Sequence, residues 1–138
     1  MRSIKLPLTF QKKNKNPSKF TINGKKITLI KEGSFGNSRF NGQLTLPKYL
    51  QSIGVGAFQG SKFSGTLDIS NVTNIESHAF LNSKFSGTLD ISNVTNIGGY
   101  AFGGSSISTV KNDSLDNNNK TIDKNAIKMA DGSYYSIN

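Results

Sequence analysis

The fifteen residues SKFSGTLDISNVTNI occur twice without a change, at positions 61–75 and 83–97, and each copy runs on into an Ala-Phe pair, Ala79-Phe80 and Ala101-Phe102. The unit advances by 22 residues. Identity at a short fixed period is the signature of a stack in which every coil meets a near-copy of itself, a solenoid, rather than of a globule whose elements each meet a different neighbour. Only 34% of the chain is hydrophobic, which such a stack tolerates because each coil buries a thin slice against the next.

Two apolar frames extend beyond the identical copies. In the first, an aliphatic residue is followed by another three positions on and by Phe five after that: Val72, Ile75, Phe80 and Val94, Ile97, Phe102. Leu50, Ile53, Phe58 and Ile27, Ile30, Phe35 obey the same rule, which makes four units with Phe spacings of 23, 22 and 22. The odd residue falls in Pro47-Lys48-Tyr49, a surface turn that absorbs it without shifting the core. The second frame is Phe40, Leu44, Leu46, then Phe63, Leu67, Ile69, then Phe85, Leu89, Ile91. Its Leu-x-Leu and Leu-x-Ile pairs alternate apolar with polar and predict short strands, stacked one coil apart as a parallel sheet. Asn41-Gly42, Ser64-Gly65 and Ser86-Gly87 suit a bend into each strand. Phe35, Phe58, Phe80 and Phe102 are expected to stack as one internal ladder and Phe40, Phe63 and Phe85 as a second. Keeping step with buried aliphatics marks them as core rather than as a base-stacking platform.

The ends depart from the pattern. KFTI and KKITLI flank Asn23-Gly24, the strongest short hairpin signal. AIKMADGSYYSIN repeats the signal at Asp131-Gly132 after a polar loop, SLDNNNKTIDKN. The expected organisation is a basic arm and hairpin cap over residues 1–26, the solenoid over 27–112, and a loop with a second hairpin cap over 113–138. The caps would cover edges that invite aggregation when exposed.

The stretch Leu44 to Ser61, LTLPKYLQSIGVGAFQGS, resembles the BspA-like leucine-rich repeat of bacterial and protozoan surface proteins, whose coil reads as a strand, a turn, then Ile-Gly and Ala-Phe. Ser61, Ser83 and Ser105 or Ser106 fill the neighbourhood in which that family commonly has Cys, and Pro47 alone preserves its Pro after the strand. The resemblance implies a β-rich leucine-rich-repeat solenoid with about four 22–23-residue coils. It further implies a non-enzymatic recognition or adhesion module of a microbe, at the cell surface or secreted, that engages a protein or glycan on a host or neighbouring cell and needs no cofactor.

Charge and composition narrow the chemistry. The net charge of +9 belongs to one end: residues 1–31 hold nine basic residues and no acidic one, while the remainder holds eight of each sign. Lys12, Lys13, Lys15, Lys19, Lys25 and Lys26 form a patch able to attract phosphate, sulfate or nucleic acid, so polyanion binding is a second reading, which a salt titration of binding reads directly. A spacer in a longer repeat array is a third. The chain has no cysteine, hence no disulfide and no thiolate metal site. No apolar run approaches the ~20 residues of a membrane span. The opening stretch lacks the apolar segment of a secretion signal, so the chain as it stands leaves a cytoplasmic location open.

Within the sheet, the polar position between strand aliphatics gives one column, Thr45, Asp68, Asp90 and Lys111, as a possible ligand face. Asp68 and Asp90 side by side would repel; duplication copied them together, and Lys111 is expected to offset the cost. A glycosidase pair needs a cleft holding one protonated and one ionised carboxyl, which a flat column does not offer. His78 is expected on an outer turn, exposed, and Asp116 to Asn119 with Asp123 as a solvated loop lacking the Gly and Glu of a calcium site. Asn71-Val72-Thr73 and Asn93-Val94-Thr95 match a glycosylation sequon, with Val72 and Val94 at core positions.

Overall fold

Twelve strands alternate between two parallel sheets in the computed structural model, which describes residues 2–4, 19–22 and 26–137. In chain order they are β1 (Arg2–Ile4), β2 (Lys19–Thr21), β3 (Ile27–Ile30), β4 (Asn41–Thr45), β5 (Ser52–Ile53) and β6 (Lys62–Gly65). There follow β7 (Asn74–Ile75), β8 (Lys84–Asp90), β9 (Asn96–Ile97), β10 (Phe102–Lys111), β11 (Thr121–Ile122) and β12 (Ile127–Met129). Odd-numbered strands form one six-stranded sheet and even-numbered strands the other, each in sequential order. Each coil thus contributes one rung to each sheet. The second sheet follows the expected frame, but its strands run earlier than expected: they contain Gly42, Gly65 and Gly87 rather than starting after them, β4 and β8 stop short of Leu46 and Ile91, and β6 ends before Leu67-Asp68-Ile69. The first sheet arises because the Ile of the other frame also sits in a short strand, as in the register Ile30, Ile53, Ile75, Ile97.

The stack extends one rung further at each end than the four units legible in the sequence. At the start, Ile4 pairs with Ile30 and Phe20 with Leu44, so Phe20-Thr21-Ile22 occupies the place of Leu44-Thr45-Leu46. This overturns the expected N-terminal hairpin. The segments on either side of Asn23-Gly24 lie in different sheets and pair parallel with the next coil; the Asn-Gly turn itself lies outside the described residues. A turn with positive φ only redirects the chain, and here the apolar register sends it to the other sheet. At the far end, Ile122 pairs with Ile97 and Ile127 with Phe102, so the expected loop and the first arm of the expected hairpin together carry a sixth rung in which Ile replaces Phe. The Asp131-Gly132 turn forms as expected: Lys128 and Tyr134 make an antiparallel bridge, and Met129 N donates to Ser133 O at 2.8 Å.

The core is a set of ladders running along the axis. Phe35, Phe58, Phe80 and Phe102 stack near-parallel, with centroids 5.0, 5.1 and 5.3 Å apart. Phe40, Phe63 and Phe85 stack at 6.2 Å spacings, and the two ladders meet edge-on, as at Phe80–Phe85 (5.4 Å). The aliphatic frame, Val72 and Val94 included, is buried throughout. Polar ladders run beside it. Ser38, Ser61, Ser83 and Ser105 are buried at the expected cysteine-like position; Ser83 donates to Ser61 O (3.2 Å), while the Ser61 hydroxyl has no partner. Asn96 Nδ2 donates to Asn74 Oδ1 (2.7 Å), and Asn74 Nδ2 to Ser52 Oγ (3.0 Å).

The outer turns show how the stack ends. Asn71 Nδ2 donates to Lys48 O and Asn93 Nδ2 to Ser70 O, each at 2.8 Å, so a side chain from each coil satisfies the carbonyl of the coil before it. The next carbonyl in that row, Ser92 O, is met by the Lys120 ammonium (3.2 Å), which also donates to Ile91 O (2.7 Å) and Val94 O (2.6 Å). Burial pushes the Lys120 ammonium below the ordinary lysine value, and the Asp90 charge pulls it back up. Replacing it with Met is expected to cost about 1–2 kcal/mol, because carbonyls losing a charged donor at this edge are only partly rescued by water. Urea unfolding measures the loss; an unchanged midpoint would show that the ammonium adds nothing.

Candidate binding face

The second sheet presents the expected polar face. In β8 Phe85 and Leu89 are buried and Lys84, Thr88 and Asp90 are exposed, with Ser86 and Gly87 between them half-buried. Thr45, Asp68 and Lys111 are exposed as well. Because two coils are identical, the face repeats itself, with Lys62 and Lys84 toward one side and Asp68 and Asp90 toward the other.

The structure brings only part of the column together. Asp90 stands in register with Lys111. Thr45 is paired with Thr21 of the preceding coil, and Asp68 lies beyond the end of β6 in a stretch with no strand pairing. Left-handed Gly65 (φ 76°) and Gly87 (φ 72°) bend the chain at the strand, and β6 pairs with β8 through Ser64–Lys84 and Gly65–Phe85, two residues off the sequence repeat. The acids also have a local task. Asp68 Oδ1 accepts from Ser70 N (2.9 Å), and Asp90 Oδ1 accepts from Ser92 N (2.9 Å) and Ser92 Oγ (2.6 Å). Both are Asx turns that lead the chain out of the sheet. The Ser92 hydroxyl and N–H, helped by Lys111 and Lys120, hold the Asp90 carboxyl below the ordinary aspartate value. Lys111 itself makes its ion pair with Asp113 (3.5 Å), an exposed contact of small energetic weight.

Beside Asp68 the face is indented. The extra residue in Pro47-Lys48-Tyr49 opens a depression of about 250 Å³ floored by Leu46, Leu50, Ile69 and Val72, with Lys48 and Asp68 among its lining residues. Tyr49 is 55% exposed, and the Lys48 ammonium lies 5.5 Å from its ring centroid. Sequence reasoning located the insertion but read it only as slack in a turn.

Of the expected polyanion patch, Lys26 is described and exposed, and Lys19 begins β2. Lys12, Lys13, Lys15 and Lys25 lie outside the described residues. His78 stands on an outer turn, half-buried rather than exposed, with its ring 5.8 Å from that of Tyr100. Asp116 caps a single 3₁₀ turn, Asn117–Asn119, its carboxylate accepting from Asn118 N and Asn119 Nδ2 at 2.9 Å each. Among the described residues no group of three or more His, Cys, Asp or Glu could hold a metal ion, and no helix is long and apolar enough to cross a membrane.

Parallel rungs of 22–23 residues, with inward Leu, Ile and Phe at fixed positions and an outward polar sheet, define a leucine-rich-repeat solenoid. The family model for the BspA type leucine rich repeat region matches residues 8–131 in six copies, and the chain belongs to that family. The match takes in β2 and the last rung, β11 and β12, which the sequence frames missed, and begins after β1. No curated protein and no solved structure matches the chain.

Proposed function

We propose that the chain is a non-enzymatic recognition module, displayed at a cell surface or secreted, that engages a protein or glycan partner across the solenoid. The observation that supports this reading most is the second sheet: a laddered core holds an outward face on which Lys, Ser, Thr and Asp recur in the two identical coils. Extended repeat surfaces are suited to binding partners at many weak points. The double variant Asp68→Lys/Asp90→Lys puts cations at both recurring acids and leaves the core alone, and Asp68→Asn/Asp90→Asn, which keeps the Asx-turn acceptors, controls for the lost turns. Binding of the labelled chain to intact epithelial or microbial cells is expected to fall at least tenfold in the lysine variant, with an unchanged circular dichroism spectrum. Undiminished binding would remove the sheet from the reading.

A further inference from the structure

The two coils that share fifteen identical residues differ only in the seven that follow: ESHAFLN at 76–82 against GGYAFGG at 98–104. The buried Ala-Phe is kept, and every other position changes. The same turn reads GVGAFQG at 54–60 and KEGSFGN at 31–37, again with only the inward Phe and its small neighbour held. Between these two coils, then, all the diversity falls on one edge of the solenoid, while the polar sheet face is the same in both.

The third position of this turn is left-handed in the four coils that carry the inward Phe, and not at Asn125 of the last rung. Gly33 (φ 65°) and Gly56 (φ 62°) adopt it at no steric cost, but the next two coils place His78 (φ 61°) and Tyr100 (φ 58°) there. Residues with a Cβ resist this conformation, and a ring that stays 43% exposed at Tyr100 recovers little of the cost by burial. Lys26, Asn37, Arg39 and Asn82 are left-handed as well; what sets His78 and Tyr100 apart is that both are rings, at the same place on adjacent coils, and strain held at such a place points to function. Tyr100 is bordered by Gly98 and Gly99 on one side and, past the inward Ala101-Phe102, by Gly103 and Gly104 on the other, which keeps its immediate surroundings low. Polar groups stand at its margin. Asn125 Nδ2 donates to the Tyr100 hydroxyl (3.4 Å), and the Asp123 carboxylate lies 3.6 Å from where a Cβ on Gly99 would stand.

We propose that the edge formed by His78 and Tyr100, with Asp123 and Asn125, binds a neutral glycan. A saccharide ring offers an apolar C–H face rimmed by hydroxyls; here an accessible aromatic ring is rimmed by a carboxylate and an amide, and a second ring follows on the preceding coil. A protein hot spot, by contrast, is built around a side chain sunk in a packed pocket, and this edge is low and glycine-bordered. The proposal rests on the reading of the chain as a recognition module and adds to the sheet a second contact, at the turns.

The test is titration of the full chain with chitohexaose, cellohexaose, maltohexaose and mannohexaose, followed by amide chemical shifts. At least one sugar is expected to bind with a millimolar or tighter Kd and to shift residues 76–82, 98–104 and 123–125. Tyr100→Gly, which suits the left-handed backbone and so stays folded, is expected to weaken binding at least tenfold, whereas Tyr100→Phe stays within threefold. Shifts confined to the sheet, or none with any of the four sugars, overturn the proposal; the recognition module itself still stands if cell binding responds to the Asp68→Lys/Asp90→Lys variant. Cell binding lost in Tyr100→Gly but indifferent to competing sugars and to deglycosylation of the cells would assign the edge to a protein and likewise overturn the glycan.

Discussion

Phe80→Ala is expected to lower stability by about 3–5 kcal/mol, the range for truncating a fully buried aromatic, and to split unfolding into two phases. Phe80 is 0% exposed at the middle of its ladder, stacked on Phe58 and Phe102 and met edge-on by Phe85. The gap cannot close easily, because backbone bonds pin the rungs on either side: Phe58 N donates to Ala79 O and Phe80 N to Ala101 O, each at 2.8 Å. In a globule such a loss is shared across the core. In a solenoid it falls on one interface, since each coil contacts only its neighbours, so the rungs before and after residue 80 lose much of their coupling. A typical domain has ~5–15 kcal/mol of total stability, and the two halves should then melt apart. Urea unfolding followed by circular dichroism and by residue-specific hydrogen exchange reads both effects. A single transition at the wild-type midpoint would show that Phe80 does not carry the stack.

The middle of this fold was legible because the chain repeats itself there. Val72, Ile75, Phe80 and their copies state the frame outright, and every one of them is buried. The outer rungs were hidden by substitution in kind: Phe20 and Thr21 hold the register of Leu44 and Thr45 with buried Ile22 after them, and Ala126-Ile127 stands in the place of Ala101-Phe102. The core accepts such exchanges, since an apolar residue of about the right size suffices, so a frame defined by Phe stops short of the stack. The Asn23-Gly24 signal misled for a different reason: turn chemistry reports the local backbone, not which strand comes next. The candidate face was legible in outline, from alternation, but the Asx turns of Asp68 and Asp90 were not read there, and the register that decides neighbours depends on left-handed glycines within the strands. Lys120 was beyond reach, because its carbonyl partners lie 26 to 29 residues upstream and no local pattern links them. The strain at His78 and Tyr100, in contrast, could have been found by laying the four turns over one another and noting Gly33 and Gly56 in the same place.

The same overlay explains a glycine whose role is space rather than conformation, and Gly98→Ala is expected to cost about 3 kcal/mol, at or above the top of the usual range for overpacking. A Cβ at residue 98 would stand 2.4 Å from Ser77 N, 2.8 Å from Ser77 Cα and 3.0 Å from Glu76 C. All three are backbone atoms of the preceding rung, so no side chain can swing aside; the rungs must part. They are held together where they would have to open, since Gly98 N donates to Ile75 O (2.8 Å) and, one coil earlier, Gly56 N donates to Ser77 O (3.0 Å). Gly54 makes the same approach to Glu32 N (2.6 Å), and Glu76, the one side chain at this position among the three central coils, lies between the two glycine rungs. Its neighbour supplies the control. A Cβ on Gly99 meets only the Asp123 carboxylate, at 3.6 Å, an ordinary contact, so Gly99→Ala should stay within about 0.5 kcal/mol of wild type, as surface substitutions away from special features do. Urea midpoints of the two variants side by side decide the matter: equal midpoints would mean that the rungs separate freely and that close packing of backbone on backbone does not set the spacing of this solenoid.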